Sequence, residues 1–150
     1  MKKLLKTLYR KSRTLLGLIL RADFTNIRRA FHYLFNDRKN PRISVIIPFH
    51  NVKEFLGPAI DSVLASEGVD VELILVDDAS TDGTLDIARA YESKYFNVRV
   101  IQLTHNMGVY VARNFGLAYA TQTYVGFLDA DDVTTPERFI TQIKAINSKR

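Results

Sequence analysis

A chain of 150 residues with 47% hydrophobic and 25% charged side chains has the size and composition of one globular domain. It contains no cysteine, which excludes a disulfide scaffold, a thiol nucleophile and a cysteine-ligated zinc or iron–sulfur centre, and fits a reducing compartment. The net charge of +5 is unevenly divided: residues 1–42 carry twelve Lys and Arg against two Asp, and the other 108 residues carry nine basic and fourteen acidic side chains. A leader of net charge +10 thus precedes a body of −5, two pieces with different surroundings.

In the leader, apolar residues recur at Leu4, Leu5, Leu8, Leu15, Leu16 and Ile19, and again at Phe24, Ile27, Phe31, Leu34 and Phe35. Spacings of three and four predict one or two amphipathic helices, with a break near residues 23–26. A Lys/Arg face opposite a Leu/Phe face suits a helix lying in an anionic membrane interface, here through residues 1–35. It equally suits a helix packed on the body or on a partner chain. No unbroken apolar run exceeds six residues, as in LLGLIL at 15–20, against the roughly 20 that a spanning helix needs. The charged residues ahead of that short run, and Arg21 after it, do not make a secretory signal. Leu and Phe at helical spacing exceed what a nucleic-acid arm requires, so no nucleic acid is expected as a partner. The expected location is cytoplasmic, or peripheral at the inner face of the membrane.

The texture changes at Asn40-Pro41. Strand-like runs follow at 43–47 (ISVII), 71–76 (VELILV), 98–103 (VRVIQL) and 124–128 (YVGFL), their starts 28, 27 and 26 residues apart. Between them lie stretches with helical spacing: Phe55, Ala59, Ile60, Val63 and Leu64, then Leu85, Ile87, Ala88 and Tyr91, then Val111, Ala112, Phe115, Ala118 and Tyr119. This βα period, with strands rich in Val, Ile and Leu, predicts an α/β fold whose parallel sheet carries helices on both faces. Thr135-Pro136-Glu137 predicts a last helix, with Thr as cap and Pro at its first position, running to about Asn147.

Ligands of open parallel sheets sit beyond the carboxyl ends of the strands. There the chain places Pro48-Phe49-His50-Asn51, then residues 77–84 (DDASTDGT), then residues 104–108 (THNMG), then Asp129-Ala130-Asp131-Asp132. Like charges gathered at one edge are costly unless a cation or a metal-bearing ligand neutralises them. The last cluster suits a hard divalent ion, Mg²⁺ or Mn²⁺, which takes oxygen ligands and keeps places open for substrate phosphates. The alternative is that these Asp side chains cap turns without any ligand. Neither a GxGxxG nor a GxxxxGK[ST] loop is present, so the familiar dinucleotide and P-loop sites are excluded.

Residues 43–51 (ISVIIPFHN), 75–84 (LVDDASTDGT), 106–108 (NMG) with 112–117 (ARNFGL), and 127–132 (FLDADD) resemble, in this order and spacing, the nucleotide-sugar-binding half of the family 2 glycosyltransferases. The resemblance covers about residues 43–147. It implies a GT-A (Rossmann-like) sheet over residues 43–150, behind a helical leader over 1–42. It also implies a nucleotide-diphosphate sugar donor, a UDP-sugar first, a divalent metal, and usually inversion at the sugar carbon. The acceptor would be a glycan, polysaccharide or lipid-linked molecule of the cell envelope. By the same resemblance the donor nucleotide would be held by Pro48, His50, Asn51, Asp78, Arg113 and Asp129, and the metal by Asp131 with Asp129. Pro48 and His50 match positions that wrap the nucleobase, where Tyr is common; Asp78 matches a carboxylate that accepts from the base; Arg113 matches a donor-side cation. Ala79 stands where Gly is frequent.

In that family the acceptor half, with the carboxylate that serves as general base, follows the DxD motif. Eighteen residues follow Asp132 here, so the expectation is a donor-binding half without its base, which alone transfers no sugar. A non-catalytic nucleotide-sugar-binding or scaffold module is the alternative. Asp129-x-Asp131-x-Val133 also fits the DxDx[TV] pattern of haloacid-dehalogenase phosphatases, but that motif belongs after the first strand of its sheet, and here it follows the fourth.

Overall fold

The computed structural model describes residues 40–148, and residues 1–39 of the predicted leader lie outside them. Eight elements alternate along the chain: β1 Arg42–Phe49, α1 Lys53–Leu64, β2 Asp70–Asp77, α2 Thr84–Lys94, β3 Val98–Gln102, α3 Val109–Tyr119, β4 Tyr124–Phe127 and α4 Arg138–Asn147. The four strands form one sheet in the order β3-β2-β1-β4, and every pairing is parallel.

The register explains why the strands read as continuous apolar runs. Ile43 pairs with Val71 and Tyr124, and Leu73 with Val45 and Val98, so the odd-numbered positions of β1 and β2 share one face with the even-numbered positions of β3 and β4. That face carries the larger core, where Ile43, Val45, Ile47, Leu73, Leu75, Val98 and Val100 meet Leu56, Ala59, Ile60 and Val63 of α1, Ala88 of α2, and Phe139 and Ile143 of α4. The even positions Ile46, Ile74 and Val76 form a smaller core with Ala112 of α3. Burial on both faces removes the in–out alternation that a half-exposed sheet would show.

The chain steps outward from β1 to β2 to β3 with α1 and α2 on one face, then returns past β1 to β4 with α3 on the other. A right-handed crossover whose direction reverses must change face, so the helices divide as predicted between the two faces. β1 and β4 are neighbours whose connections leave in opposite directions. Their carboxyl ends therefore flank the switch point of the sheet, the place where open α/β sheets take their ligands.

Three local expectations are corrected. Phe55 shares the helical spacing of Ala59, Ile60 and Val63 but is 54% exposed, with Leu56 turned inward in its place. On α3, Phe115 and Tyr119 are 40% and 42% exposed, while Ala112 and Gly116 are buried against the sheet. Only small residues let this helix lie so close: a Cβ on Gly116 would overlap Ile46 Cγ2. Finally, Thr135 does not cap α4 through its side chain. Arg138 N–H donates to Thr135 O at 3.2 Å, and the Pro136 carbonyl accepts from Glu67 N–H at 2.9 Å. With that carbonyl held by the α1–β2 loop, helical bonding starts later, at Thr141 N–H to Glu137 O, 3.0 Å.

The amino end of the sheet is closed by a polar latch. Buried Ser44 donates to Glu72 Oε2 at 2.6 Å, and Glu72 accepts from Thr121 N–H at 3.0 Å and from the Thr121 hydroxyl at 2.8 Å. The latch gives the buried Ser44 hydroxyl its acceptor and ties the α3–β4 loop to β2. Among the described residues no helix is long and apolar enough to cross a membrane.

Candidate functional site

All four polar segments leave the carboxyl edge of the sheet, as the topology requires. Pro48 itself lies inside β1, buried and paired with Val76. The exit from β1 is His50-Asn51, both exposed, with Asn51 at a φ of 51°. Asn tolerates this left-handed conformation better than most residues. Its backbone N–H donates to Ser80 Oγ at 3.1 Å, and its side-chain oxygen accepts from Thr81 N–H at 2.8 Å. The β1–α1 loop is thereby fastened to the β2–α2 loop.

At the end of β2 the two adjacent carboxylates turn inward. Asp77 is fully buried; its Oδ1 accepts from Ser80 N–H at 2.9 Å, and its Oδ2 is without a protein partner. Asp78 is 4% exposed, and its oxygens accept from Met107 N–H at 2.7 Å and Gly108 N–H at 2.8 Å. The carboxylate thus fixes the β3–α3 loop at the head of α3. Gly108 takes a φ of 85° there, and Ala79, beside Asp78, takes 60°. A left-handed conformation at position 79 accounts for the frequent glycine, because a Cβ is disfavoured there.

Asp82 serves two helix starts at once. Its Oδ1 accepts from the Thr84 hydroxyl and, at 2.9 Å, from Thr84 N–H at the start of α2, and its Oδ2 accepts from Lys53 N–H at 3.3 Å at the start of α1. The Thr84 hydroxyl, supported by these backbone donors against burial, holds the Asp82 carboxyl below the ordinary range. A carboxylate so placed satisfies free N–H groups and meets two positive helix ends.

Beyond β4, Arg113 of α3 pairs through its guanidinium with Asp129 Oδ1, while its Nε is buried without a protein partner. The guanidinium carbon also stands 6.0 Å from the centre of the Phe127 ring. Asp131 and Asp132 are exposed; Asp132 N–H closes a turn on Asp129 O at 3.1 Å. The structure brings Arg113 to Asp129, as it brings His50, Asn51 and Asp78 together. Among the described residues no three His, Asp or Glu side chains are gathered to hold a metal ion.

Sequence reasoning had not found the roles of Met107 and Gly108 as backbone donors, nor that of Thr81 as the partner of Asn51. The Asn-Met-Gly block carried a signal for the first, since a glycine ahead of a helix marks a backbone that side chains disfavour.

The model of the family described as "Glycosyl transferase family 2" matches residues 44–150. This chain belongs to glycosyltransferase family 2. Among its relatives, the putative teichuronic acid biosynthesis glycosyltransferase TuaG of Bacillus subtilis is 39% identical over 104 residues, covering 69% of this chain and 41% of TuaG. The putative glycosyltransferase EpsE of the same organism is 37% identical over 111 residues, or 73% of this chain and 40% of EpsE. Among solved structures, residues 1–349 of S. aureus TarS in complex with UDP-GlcNAc superpose with a TM-score of 0.65 at 32% identity, covering 71% of this chain and 31% of that TarS fragment. The mannosyltransferase PcManGT of Pyrobaculum calidifontis shares the fold with a TM-score of 0.65 at 22% identity, over 90% of this chain and 41% of that one. The family 2 chain described here therefore spans well under half the length of these relatives, within a common GT-A fold.

Proposed function

We propose that residues 42–148 bind the nucleotide-diphosphate part of a sugar donor, UDP-sugar first, at the carboxyl edge of the sheet. The protein transfers that sugar, with inversion, to a glycan, polysaccharide or lipid-linked acceptor of the cell envelope. The observation that carries this reading is the Arg113–Asp129 pair: a cation meets the first DxD carboxylate just past the end of β4, the strand beside β1 at the switch point of the sheet. Relatives named for teichuronic acid and minor teichoic acid synthesis support the acceptor class.

The donor set fits a divalent cation. Asp131 is exposed, and Asp129 keeps a second oxygen beyond the one paired with Arg113. A magnesium-type ion is commonly bound through one or two carboxylates, with substrate phosphates and water completing its shell, so three gathered side chains are not required. Asp131 and Asp129 would hold Mg²⁺ or Mn²⁺, which when bound supplies charge stabilisation for a departing diphosphate. The chain's own residues do the rest: Pro48, His50, Asn51 and Asp78 form the nucleotide side, and Arg113 orients Asp129. The basic leader, residues 1–35, would hold the protein at an anionic inner membrane surface.

Calorimetry of uridine diphosphate with the protein, in the presence of Mg²⁺ or Mn²⁺ and then of chelator, tests the reading. Binding that needs the cation is the expected result, because the Asp129/Asp131 pair and a diphosphate repel without one. Equal affinity with chelator would remove the metal from the proposal, and no binding in any condition would remove the donor site.

A further inference from the structure

Three short contacts run from the β2 carboxyl end through both exposed loops: His50 Nδ1 to Asp78 O at 2.7 Å, Asn51 Nδ2 to His50 Nε2 at 3.1 Å, and Thr81 N to Asn51 Oδ1 at 2.8 Å. The two middle groups are individually ambiguous, since an imidazole nitrogen can donate or accept and an amide has an end of each kind. The two outer groups are not. A backbone carbonyl can only accept, so His50 Nδ1 carries the proton; a backbone N–H can only donate, so Asn51 turns its oxygen to Thr81. It follows that Asn51 presents N–H to His50 Nε2, which in the neutral Nδ1–H tautomer is the lone-pair nitrogen. Both ends of the chain of bonds give the same assignment.

We infer that Asn51 is a positioning residue whose amide holds the His50 ring as the Nδ1–H tautomer, in one orientation at the nucleotide side of the site. A second proton on Nε2 would face Asn51 N–H, donor against donor. Relief would require the amide to turn over, which would set its NH₂ against Thr81 N–H. With both nitrogens engaged, the ring offers a bound nucleotide its face and carbon edge, not a free donor or acceptor. This consequence rests on the proposal that His50 lies at the donor nucleotide; the assignment of the ring's protons does not.

The test uses the full chain with histidine labelled in its ring nitrogens, His50→Phe identifying the His50 signals among the three histidines. In the parent at neutral pH, long-range proton–nitrogen spectra should show one protonated nitrogen, Nδ1. Asn51→Asp keeps an oxygen for Thr81 N–H and tolerates the left-handed backbone, but it sets a carboxylate against Nε2. Its His50 should carry protons on both nitrogens at the pH where the parent carries one. An Nε2–H or rapidly averaged ring in the parent, or an Asn51→Asp ring identical to the parent's, would overturn the inference. For binding, Asn51→Gly removes the side chain without straining φ and should weaken Mg²⁺-dependent uridine diphosphate binding by about tenfold, the scale of one hydrogen bond. Asn51→Asp, with the loop fastening retained, should remain at least about fivefold weaker than the parent, within the same range. Full recovery in Asn51→Asp would show that Asn51 serves the loops alone. If the parent binds no nucleotide, the proposed function fails, while the nitrogen spectra still decide the role of Asn51.

Discussion

Asp78 at the end of β2 accepts the backbone N–H of Gly108 at 2.8 Å, across 30 residues of chain. Its other oxygen takes Met107 N–H at 2.7 Å, so a single buried carboxylate fixes the entry to α3. Asp78→Ala would leave two N–H groups without their acceptor, and it should destabilise the domain by about 2–4 kcal/mol, as charged hydrogen bonds in buried places do. Urea unfolding measures this. The base-facing role proposed for Asp78 makes a separate demand: among uridine, cytidine and guanosine diphosphates, the preference should flatten. A variant with undiminished stability and altered preference would leave the clamp without support.

The same carboxylate shows where sequence reasoning stops. The four strands were legible because Val, Ile and Leu fill both parities of β1 and β2, and the βα period fixed the sheet type and the edge that carries the polar loops. The residues at that edge were also legible as a set. What spacing cannot convey is whether a carboxylate oxygen is already engaged, because the donors to Asp78 come from positions 29 and 30 residues away. Asp82 likewise reads as one more acidic residue until its oxygens are seen at the starts of both α1 and α2. On α3 the periodicity offered Phe115 and Tyr119 as core, yet a helix pressed onto β1 buries its smallest residues, Ala112 and Gly116, and turns aromatics outward.

Ala79 and Gly108 both have positive φ, 60° and 85°. Ala79→Gly should therefore stabilise the domain by about 0.5–1 kcal/mol, since relief of the left-handed strain outweighs the added freedom of the unfolded chain. Gly108→Ala should have the opposite sign. No atom lies within 4 Å of a Cβ at Gly108, so its loss of about 1–2 kcal/mol would come from backbone conformation alone. Thermal melts of the two variants check both signs. A destabilised Ala79→Gly would contradict the conformation at the end of β2.

Asp131 is exposed, and replacement by Asn removes charge with little change of volume. Asp131→Asn should weaken Mg²⁺- or Mn²⁺-dependent binding of uridine diphosphate at least several-fold while the melting temperature stays close to the parent's. Arg113→Ala should act differently. It frees Asp129 from its partner and removes packing against Phe127, so it should lower stability and nucleotide affinity together. Calorimetry paired with thermal melts separates the two patterns, and unfolding of Asp131→Asn would make that residue structural.

Tyr91 on α2 donates its hydroxyl to Asp61 Oδ1 of α1 at 2.9 Å, and its ring stacks on Tyr95 with centroids 5.9 Å apart. Burial, then the hydrogen bond and charge of Asp61, push the phenol from 10.0 up to about 12. The folded domain therefore holds this proton more tightly than the unfolded chain does. The resulting stability is fully present below pH 10 and is lost as the pH rises toward about 12, where the folded phenol ionises beside a carboxylate. Tyr91→Phe keeps the ring and deletes the titrating group, so it should be less stable than the parent by a steady margin up to pH 10, and that margin should shrink above it. Denaturant unfolding of parent and variant at intervals from pH 8 to about 12 measures the difference. A margin that stayed constant through the whole range would show that the α1–α2 contact does not depend on the phenolic proton.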